Sequence, residues 1–408
     1  MTRVSRSKLV KPWWSPPSLL ARQAGSLIAT GLLCGWRKMP VWMVRHALSC
    51  IPGAAGSWGM GCIGFPAHPV IELTGKCNLS CIHCHAGAGS GDGPELSTIE
   101  IFTVLDQLAT VPEFRMVAFT GGEPLLRQDI FEILEYARDL GFSTTIATNG
   151  TLITPDIARR LADAGVAIVA ISLDATDTET HDRIRGLPGA RDLALKGIKA
   201  VKEAGITLHI NVTIASYNED QVMDLIRETE KLGAAILIMY QLVPVGRGGA
   251  IADQSLGTDA NKRLIRSIAA GQRSVAVVIE PVAGPQYWAD LLYNAGIRSG
   301  LLLKVFEQIF HGCCAGRGFI YIKPDGEVLP CPFVPVSCGN VRDIPVDQIY
   351  HTSPIFQRLQ NRDLLLGSCG ECQYRNLCGG CRGRAYAGGQ DICGEDPACF
   401  LRNEIDES

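Results

Sequence analysis

The chain has 408 residues with 47% apolar content and a formal net charge of −3, and it contains sixteen cysteines. Its length exceeds what one hydrophobic core usually serves, so we expect two domains and an extension. The size and the apolar content exclude a small secreted module held by disulfides, and metal–thiolate chemistry explains so many cysteines better. No nucleic-acid partner is expected.

Residues 1–68 form a basic and apolar N-terminal extension. Residues 1–71 contain eight Lys and Arg and no Asp or Glu, so the remainder carries a charge of −11. No run reaches the roughly 18 uncharged apolar residues that a transmembrane helix needs. The interrupting residues are Arg22, Arg37, Lys38 and Arg45. We expect a cytoplasmic protein, with export as the alternative. The extension is a candidate for covering an anionic macrocycle, docking on an acidic partner, contacting a membrane surface or packing on the core.

From Pro69 onward, apolar β-type runs alternate with amphipathic helical runs. The six strand runs are PVIELTG, MVAFTGG, STTIATNG, AIVAISLDA, TLHINVTIA and AAILIMYQLVP. Helix starts are marked by Ser97, Thr154 and Asn218, and helix ends by Gly141, Gly165, Gly205 and Gly233. Six strand–helix units predict a parallel sheet with outer helices, either doubly wound or a barrel. Reactive groups should then gather at the C-terminal ends of the strands.

Three cysteines follow the first predicted strand directly. Cys77, Cys81 and Cys84 have the spacing C-x3-C-x2-C, which is short enough for one loop to wrap a cubane iron–sulfur cluster. Because each iron takes one thiolate, three ligands leave one iron open for a substrate. A structural zinc site, closed by His83 or His85, is the alternative.

The triplet, the GGEP sequence at Gly121–Pro124 and the six repeats together resemble the radical S-adenosylmethionine (radical SAM) superfamily. The resemblance implies that the open iron of a 4Fe-4S cluster chelates the amino and carboxylate groups of SAM. It also implies that the reduced cluster splits SAM to give a 5'-deoxyadenosyl radical, which makes Cys77, Cys81 and Cys84 the catalytic cluster ligands. A low-potential electron donor of the ferredoxin or flavodoxin type would be required.

The resemblance also assigns the cofactor contacts. The GGEP edge would receive the SAM ammonium group, with Gly121 and Gly122 allowing close backbone approach and Glu123 supplying charge. His83 takes the place of an aromatic residue near the adenine. The remaining contacts to ribose, methionine or anionic groups would come from Thr148, Asn149, Ser172, Asp174, Arg185 and Asn211. Ordinary turns, strand ends and helix caps are the alternatives for these polar residues.

Ten cysteines follow residue 312, in an order that resembles the SPASM domain of radical SAM enzymes, which holds up to two auxiliary 4Fe-4S clusters. By this analogy a distal cluster is held by Cys369, Cys372, Cys378 and Cys399. A proximal cluster is held by Cys314, Cys331 and Cys381. The gap between Cys378 and Cys381 is shorter than in many members, and Cys313, Cys338 and Cys393 leave the ligand assignment open. A zinc-ribbon arrangement is the structural alternative.

The predicted fold is therefore α/β: a partial (βα)6 TIM-type barrel with parallel strands, followed by a cysteine-rich, iron–sulfur-stabilised C-terminal domain. The predicted domains are an extension at 1–68, a radical SAM core at 69–285 and a SPASM-type domain at 286–408. The core and the C-terminal domain carry the resemblance, which covers roughly Pro69 to Ser408.

We first expect an enzyme that abstracts hydrogen from a residue of a protein or peptide, which it then cross-links, oxidises or methylates. Methylation would require bound cobalamin, for which no standard corrin-binding motif is visible. The phrases QLVPVGRGG and GGCRGRAYAGG resemble enzymes that modify tetrapyrrole side chains in heme biosynthesis, which is the alternative. A non-catalytic electron carrier would not explain the open coordination position or GGEP.

Overall fold

The computed structural model describes residues 68–89, 91–111, 114, 116–310 and 312–402. The expectations for the basic extension at 1–67, including its contact with a membrane surface, lie outside these residues. Within the described ranges, no helix is long and apolar enough to cross a membrane.

In the described part of the chain, nine strands form one sheet with the spatial order β7-β6-β5-β4-β3-β2-β1-β8-β9. The strands are β1 (His68–Glu72), β2 (Met116–Thr120), β3 (Ser143–Thr148), β4 (Ile168–Ser172), β5 (Thr207–Ile214), β6 (Ile236–Gln241), β7 (Val278–Val282), β8 (Phe319–Ile322) and β9 (Val328–Leu329). All neighbours from β7 to β8 pair in parallel, and only β9 is antiparallel. The predicted partial barrel with parallel strands is confirmed.

Helices follow the strands in alternation and cover the outside of the sheet. They are α1 (Thr98–Ala109), α2 (Ile130–Asp139), α3 (Pro155–Asp163), α4 (Thr178–Arg185), α5 (Ala190–Glu203), α6 (Val222–Leu232), α7 (Thr258–Gln272), α8 (Gln286–Asn294), α9 (Gly300–Ile309), α10 (Val346–Thr352), α11 (Pro354–Gln360), α12 (Gly367–Glu371) and α13 (Arg382–Ala387). The central strands read as continuous apolar runs because both of their faces are covered, as in other parallel sheets.

The helix boundaries follow from local chemistry. The Ser97 side chain accepts a hydrogen bond from the Glu100 backbone amide, and the Glu100 carboxylate accepts one from the Ser97 backbone amide, so a capping box starts α1. The Thr154 hydroxyl caps the start of α3 by accepting a hydrogen bond from a backbone amide of the first turn. Gly233 ends α6 with φ of 76°, in the left-handed region that glycine adopts without strain. Asn218 precedes a 3-10 turn and makes no side-chain cap bond there.

The sheet extends beyond the six predicted units. β7 follows the sixth unit. β8, from the C-terminal region, pairs in parallel with β1, and Ile71 lies opposite Ile322 in this register. Short helices and loops after β9 carry most of the remaining cysteines. The predicted boundary at residue 285 falls between β7 and α8, yet the sheet continues past it, and the division into domains stays a prediction.

Candidate active site

A cavity of about 310 Å³ lies at the C-terminal ends of the strands. Its wall combines the loop after β1, the ends of β2 to β7 and several C-terminal residues. The predicted site residues that line it are Cys77, Cys81, His83, Cys84, Gly121, Gly122, Thr148, Asn149, Ser172, Arg185, Asn211, Cys314, Cys331 and Cys381. Those that do not line it are Glu123, Asp174, Cys369, Cys372, Cys378 and Cys399.

Residues 77–84, called the cluster loop here, are held by backbone hydrogen bonds. The amides of Ser80 and Ile82 donate to the carbonyls of Arg185 (3.3 Å) and Ile184 (3.0 Å) at the end of α4. The last turn of α4, whose sequence is TETHDRIR, therefore supports the loop. All described cysteines are free of disulfides, so the loop thiols are available as ligands.

Arg247 holds the cluster loop through two further hydrogen bonds. Its backbone amide donates to the Cys84 carbonyl at 2.9 Å, and its Nε donates to the Cys81 carbonyl at 2.7 Å. Gly246, with φ of 56°, brings this segment so close that a Cβ would lie 2.1 Å from the His85 carbonyl oxygen. Arg247 lies in the VGRGG sequence after the sixth strand, which resembles one branch of the family but did not predict Arg247 as a site residue.

Gly121 and Gly122 form a bare backbone edge at the end of β2. The Gly122 amide donates to the Thr74 carbonyl at 2.7 Å. A Cβ on Gly122 would lie 2.2 Å from the Lys76 carbonyl oxygen, and one on Gly121 would lie 2.9 Å from that of Thr74. Only glycine fits at Gly122, and both glycines line the cavity together with the cluster loop.

Glu123 is buried behind the cavity wall and not within it. One carboxylate oxygen accepts from the Thr148 hydroxyl at 2.7 Å and the other from the Asn149 amide at 2.9 Å. Burial raises the pKa of Glu123 to about 7. The side chain therefore joins the ends of β2 and β3, and it is placed to act on the cavity through Thr148 and Asn149.

Asp174 is also behind the wall, where it orients Arg185. Asp174 Oδ2 lies 2.7 Å from Arg185 Nε, and Asp174 Oδ1 accepts from the Thr213 amide at 2.9 Å. Burial opposes ionisation, but the positive charge of Arg185 holds the pKa of Asp174 below its usual range. Arg185 Nη1 donates to the Cys81 sulfur at 3.7 Å. Arg185 thus connects a buried carboxylate to the cluster loop.

Two histidines of the cluster-loop region face the cavity. Burial lowers the pKa of His83 and of His85 to about 4, which keeps both rings neutral at neutral pH. His85 Nε2 lies 3.2 Å from the Tyr321 hydroxyl, which donates to a Glu72 carboxylate oxygen at 2.9 Å. Tyr321 was not predicted as a site residue, because β8 joins β1 only in the tertiary structure.

Four cysteines from the C-terminal region also line the cavity. This proximal cysteine set consists of Cys313, Cys314, Cys331 and Cys381. Burial raises the pKa of Cys331 well above its usual value, and the nearby thiols of the other three members raise it further. The sequence had left Cys313 open, and the structure places it with the three predicted proximal ligands.

The remaining predicted ligands gather away from the cavity. This distal cysteine set consists of Cys369, Cys372, Cys378 and Cys399. Burial raises the pKa of Cys378 well above its usual value, and its neighbours Cys399, Cys369 and Cys372 contribute to the increase. All four predicted distal residues are therefore neighbours.

Cys338 and Cys393 belong to neither set, although Cys393 packs in the same apolar cluster as Cys369. The Cys338 thiol donates to the Val336 carbonyl at 3.7 Å, and Cys393 lies beside Arg358 and Asp391. In the described part of the chain, no three His, Cys, Asp or Glu side chains converge on a single metal-ion position. The two C-terminal sets each contain four thiols, which is the number that a cubane cluster takes, so their composition fits that group.

A buried ion pair links the two cysteine sets to the barrel. Arg384 donates through Nη2 to Asp396 Oδ2 at 2.7 Å and through Nη1 to the Gln241 side chain at 2.7 Å, at the end of β6. Asp396 in turn accepts from the Cys381 amide at 2.8 Å, and its own amide points at the Cys369 sulfur at 3.4 Å. This pair was not anticipated, because its members approach one another only after the C-terminal region folds onto the sheet.

Comparison with known proteins agrees with this geometry. Residues 71–229 match the radical SAM superfamily, and residues 313–381 match the SPASM iron–sulfur cluster-binding domain. The AdoMet-dependent heme synthase of Methanosarcina barkeri is 35% identical over 81% of this chain and 95% of that protein. The mycofactocin maturase MftC of Mycobacterium ulcerans is 32% identical over 80% of this chain and 86% of that protein.

A solved structure shares the fold. Streptococcus suis SuiB, bound to its precursor peptide SuiA, superposes with a TM-score of 0.65 over 87% of this chain and 79% of that one, at 19% identity. That likeness shows the fold alone. One conclusion follows from the relatives, from the two matched domains and from the cavity that the cluster loop and the proximal cysteine set share. The chain belongs to the radical SAM superfamily and is an enzyme of the group that carries a SPASM iron–sulfur domain.

Proposed function

We propose that this enzyme removes carboxyl groups from the side chains of a tetrapyrrole in heme biosynthesis. The observation that carries the proposal is similarity over four-fifths of the chain to a relative named AdoMet-dependent heme synthase. Two further relatives at 33% and 34% identity carry the same name. The cavity supports the proposal, because it touches both the cluster loop and the proximal cysteine set.

We assign the SAM-binding 4Fe-4S cluster to Cys77, Cys81 and Cys84. The Gly121–Gly122 edge would receive the amino group of SAM, since its backbone is accessible and no side chain can stand there. Arg185, held by Asp174, supplies a fixed cation on the cavity wall. The other cavity contacts to SAM are proposed for His83, Thr148, Asn149, Ser172 and Asn211. Glu123 would act indirectly, by holding Thr148 and Asn149.

We assign one auxiliary 4Fe-4S cluster to the proximal cysteine set and a second to the distal set. Cys313 is added to the three proximal ligands that the resemblance implied, because it lies beside Cys331, Cys314 and Cys381. Four thiolates per cluster leave no open iron in either set. We therefore propose that the proximal cluster exchanges electrons and does not bind substrate.

The proposed reaction would take one electron from an external low-potential donor to cleave SAM, and the substrate would give up one electron to an oxidised auxiliary cluster. When bound, the clusters and SAM supply a 5'-deoxyadenosyl radical that takes one hydrogen atom from the side chain, and an oxidised auxiliary cluster that takes one electron. The resulting side-chain radical, –CH•–CH₂–COO⁻, loses carbon dioxide and that electron to become –CH=CH₂. A low-potential donor of the ferredoxin or flavodoxin type would return electrons to the SAM cluster.

The chain's own residues would orient the substrate and exclude water. Phe333 packs edge to face on His85, with ring centroids 5.6 Å apart, and Tyr240 lies 6.4 Å from Phe333. This aromatic wall suits a flat macrocycle and keeps solvent from a radical. Arg247 lines the same cavity and forms no ion pair with a described carboxylate, so it is available for a substrate carboxylate.

Turnover of iron coproporphyrin tests the proposal. Anaerobically reconstituted enzyme with SAM and dithionite should release 5'-deoxyadenosine and convert side chains with loss of carbon dioxide and two hydrogens each, followed by mass spectrometry. The matched control is the methyl ester of the same tetrapyrrole, which should not react because its carboxyl groups cannot leave as carbon dioxide. SAM cleavage that leaves the free acid unchanged would contradict the proposal.

The second candidate is modification of a peptide or protein residue, which the sequence had favoured first. It rests on the relative named mycofactocin maturase, which is similar over almost the same part of the chain. Pull-down mass spectrometry from the anaerobic native cell extract distinguishes the two, because a short precursor peptide or a target protein would be captured with a covalent change. A methylating version would also require stoichiometric cobalamin in the purified protein.

A further inference from the structure

Arg362 lies beside the proximal cysteine set and is 5% exposed. Its Nη2 donates to the carbonyl oxygen of Cys313. The guanidinium also rests against Gly379, where a Cβ would lie 2.3 Å from Nη1. Gly379 is one of the two residues between Cys378 of the distal set and Cys381 of the proximal set. Arg362 therefore occupies a fixed, buried position against the segment that joins the two sets.

Within the described residues, Arg362 has no negative side chain as an ion-pair partner. Its Nε and Nη1 are buried and have no hydrogen-bond acceptor. Arg317 and Arg382 are among its charged neighbours, and their positive charges add repulsion. Arg185 and Arg384 differ, since each is paired with an aspartate at 2.7 Å. Arg382 is also buried without a carboxylate partner among the described residues, but both its Nε and its Nη1 donate to backbone carbonyls.

A buried guanidinium without an anion is unstable, because it loses hydration and cannot release its proton at neutral pH. A four-thiolate cubane carries net negative charge that increases by one on reduction. We propose that Arg362 is the counter-charge of the proximal cluster and raises its reduction potential. The inference rests on the proximal ligands assigned under the proposed function, and it does not depend on the identity of the substrate.

The consequence for turnover is directional electron transfer. A fixed positive charge favours the reduced proximal cluster over the oxidised one, so that cluster would accept the electron that the substrate radical loses. Arg362 keeps its proton throughout, and only the charge of the cluster changes. Arg362 is thus a positioning and tuning residue that touches neither SAM nor the substrate.

A redox titration followed by electron paramagnetic resonance tests this inference. The parent protein carries alanine at positions 77, 81 and 84, so that only the auxiliary clusters give signals. The proximal signal is identified as the one that disappears in Cys331→Ala. In this parent, Arg362→Gln should lower the ratio of reduced to oxidised proximal cluster by about tenfold or more at a fixed solution potential. The distal signal should change less.

Arg358→Gln is the matched control, because Arg358 is a half-exposed arginine of the same region that pairs with Asp391. It should leave both signals in place, since solvent screens its charge. Arg362→Lys keeps the charge and should remain close to the parent. If Arg362→Gln loses about four irons while Arg362→Lys keeps them, the counter-charge role is supported.

Three results would overturn the inference: an unmoved proximal signal in an iron-replete Arg362→Gln protein, loss of the cluster in both Arg362 variants, or a parent without a proximal signal. The last result would also reject the proposed ligand set. A shifted proximal signal in a protein that does not convert iron coproporphyrin would reject the tetrapyrrole proposal and leave this inference intact.

Discussion

Asp174 Oδ2 lies 2.7 Å from Nε of Arg185, and the same guanidinium donates to the Cys81 sulfur at 3.7 Å. The pair joins the end of β4 to the end of α4, immediately behind the cluster loop. Both side chains are almost completely removed from solvent. The ion pair therefore sets the position of a cation against one cluster ligand.

Asp174→Asn should destabilise the fold by about 3 kcal/mol, because it leaves Arg185 as an uncompensated buried charge. Anaerobic urea unfolding measures the change. Asp156→Asn is the control, since Asp156 pairs with Arg159 at 2.8 Å on the surface, and it should change the free energy of unfolding by less than about 0.5 kcal/mol. Equal effects of the two substitutions would show that the buried pair has no special role.

Replacing Cys77, Cys81 and Cys84 together with Ala should abolish reductive cleavage of SAM while the auxiliary clusters remain. The reason is that the described cysteines that line the cavity are these three and the proximal set, and the proximal set is assigned to another cluster. Release of 5'-deoxyadenosine under dithionite is the measurement. Cys338→Ala, outside both C-terminal sets, should keep full activity. Continued cleavage by the triple variant would refute the assignment of the catalytic cluster.

Iron content tests the two C-terminal sets. Reconstituted protein should hold about 12 irons per chain if each of the three sites carries a cubane. Cys313→Ala should lose iron or convert the proximal cluster to a three-iron form with a distinct paramagnetic signal, as Cys331→Ala should. Cys393→Ala should leave the iron content unchanged, because Cys393 belongs to neither set and its charged neighbours are Arg358, Asp391 and Arg382. A Cys313→Ala protein with an unaltered proximal signal would return the ligand set to three cysteines.

Gly122→Ala should reduce SAM cleavage at least about tenfold, because the new Cβ would lie 2.2 Å from the Lys76 carbonyl oxygen and must displace the backbone edge. Equilibrium binding of SAM and 5'-deoxyadenosine release are both measured. Gly89→Ala is the matched control near the same loop, since no atom lies within 4 Å of its Cβ position and its φ is not in the left-handed region. Normal SAM binding by Gly122→Ala would argue against the cradle.

The stability of the fold should depend on pH through Glu72. Burial raises the pKa of Glu72 from 4.5 to about 7, although the Tyr321 hydrogen bond partly opposes this. The folded state prefers the neutral acid, so the stabilising contribution is complete below pH about 4.5 and is lost as pH rises through about 7. Glu72→Gln mimics the neutral form and should gain up to about 3 kcal/mol over the parent above pH about 8.

Urea unfolding across this pH range measures the difference between Glu72→Gln and the parent. Tyr321→Phe removes the hydrogen bond that favours the ionised form of Glu72. It should therefore raise the pKa of Glu72 further and extend the loss of stability to higher pH. A constant difference between Glu72→Gln and the parent at all pH values would disprove the raised pKa.

Much of the core could be predicted from short-range patterns. The alternating runs predicted β1 to β6, and Gly233 and Ser97 predicted helix ends, because these signals act over a few residues of backbone geometry. The spacing of Cys77, Cys81 and Cys84 predicted a single loop for the same reason. β7 was missed, since VIEPV is short and contains a proline at an edge strand of the sheet.

The tertiary structure decided how distant segments meet. Glu123 was expected to present its charge to the cavity. Instead, its carboxylate accepts two hydrogen bonds from the end of β3 and a third from the Leu125 amide, which turn it away from the cavity. Cys313 is held by a contact between distant segments, since its amide donates to the Cys378 carbonyl at 2.9 Å, and no local pattern encodes that contact.

By itself, the sequence determined the family, the parallel barrel and the candidate ligands, because these follow from residue type and spacing along one short segment at a time. Only the tertiary structure decided that Arg362 is buried without a carboxylate, that Arg384 and Asp396 connect both cysteine sets, and that Tyr321 reaches His85. Those relationships arise from burial and charge balance between segments far apart in the chain, and both quantities exist only once the segments are packed together.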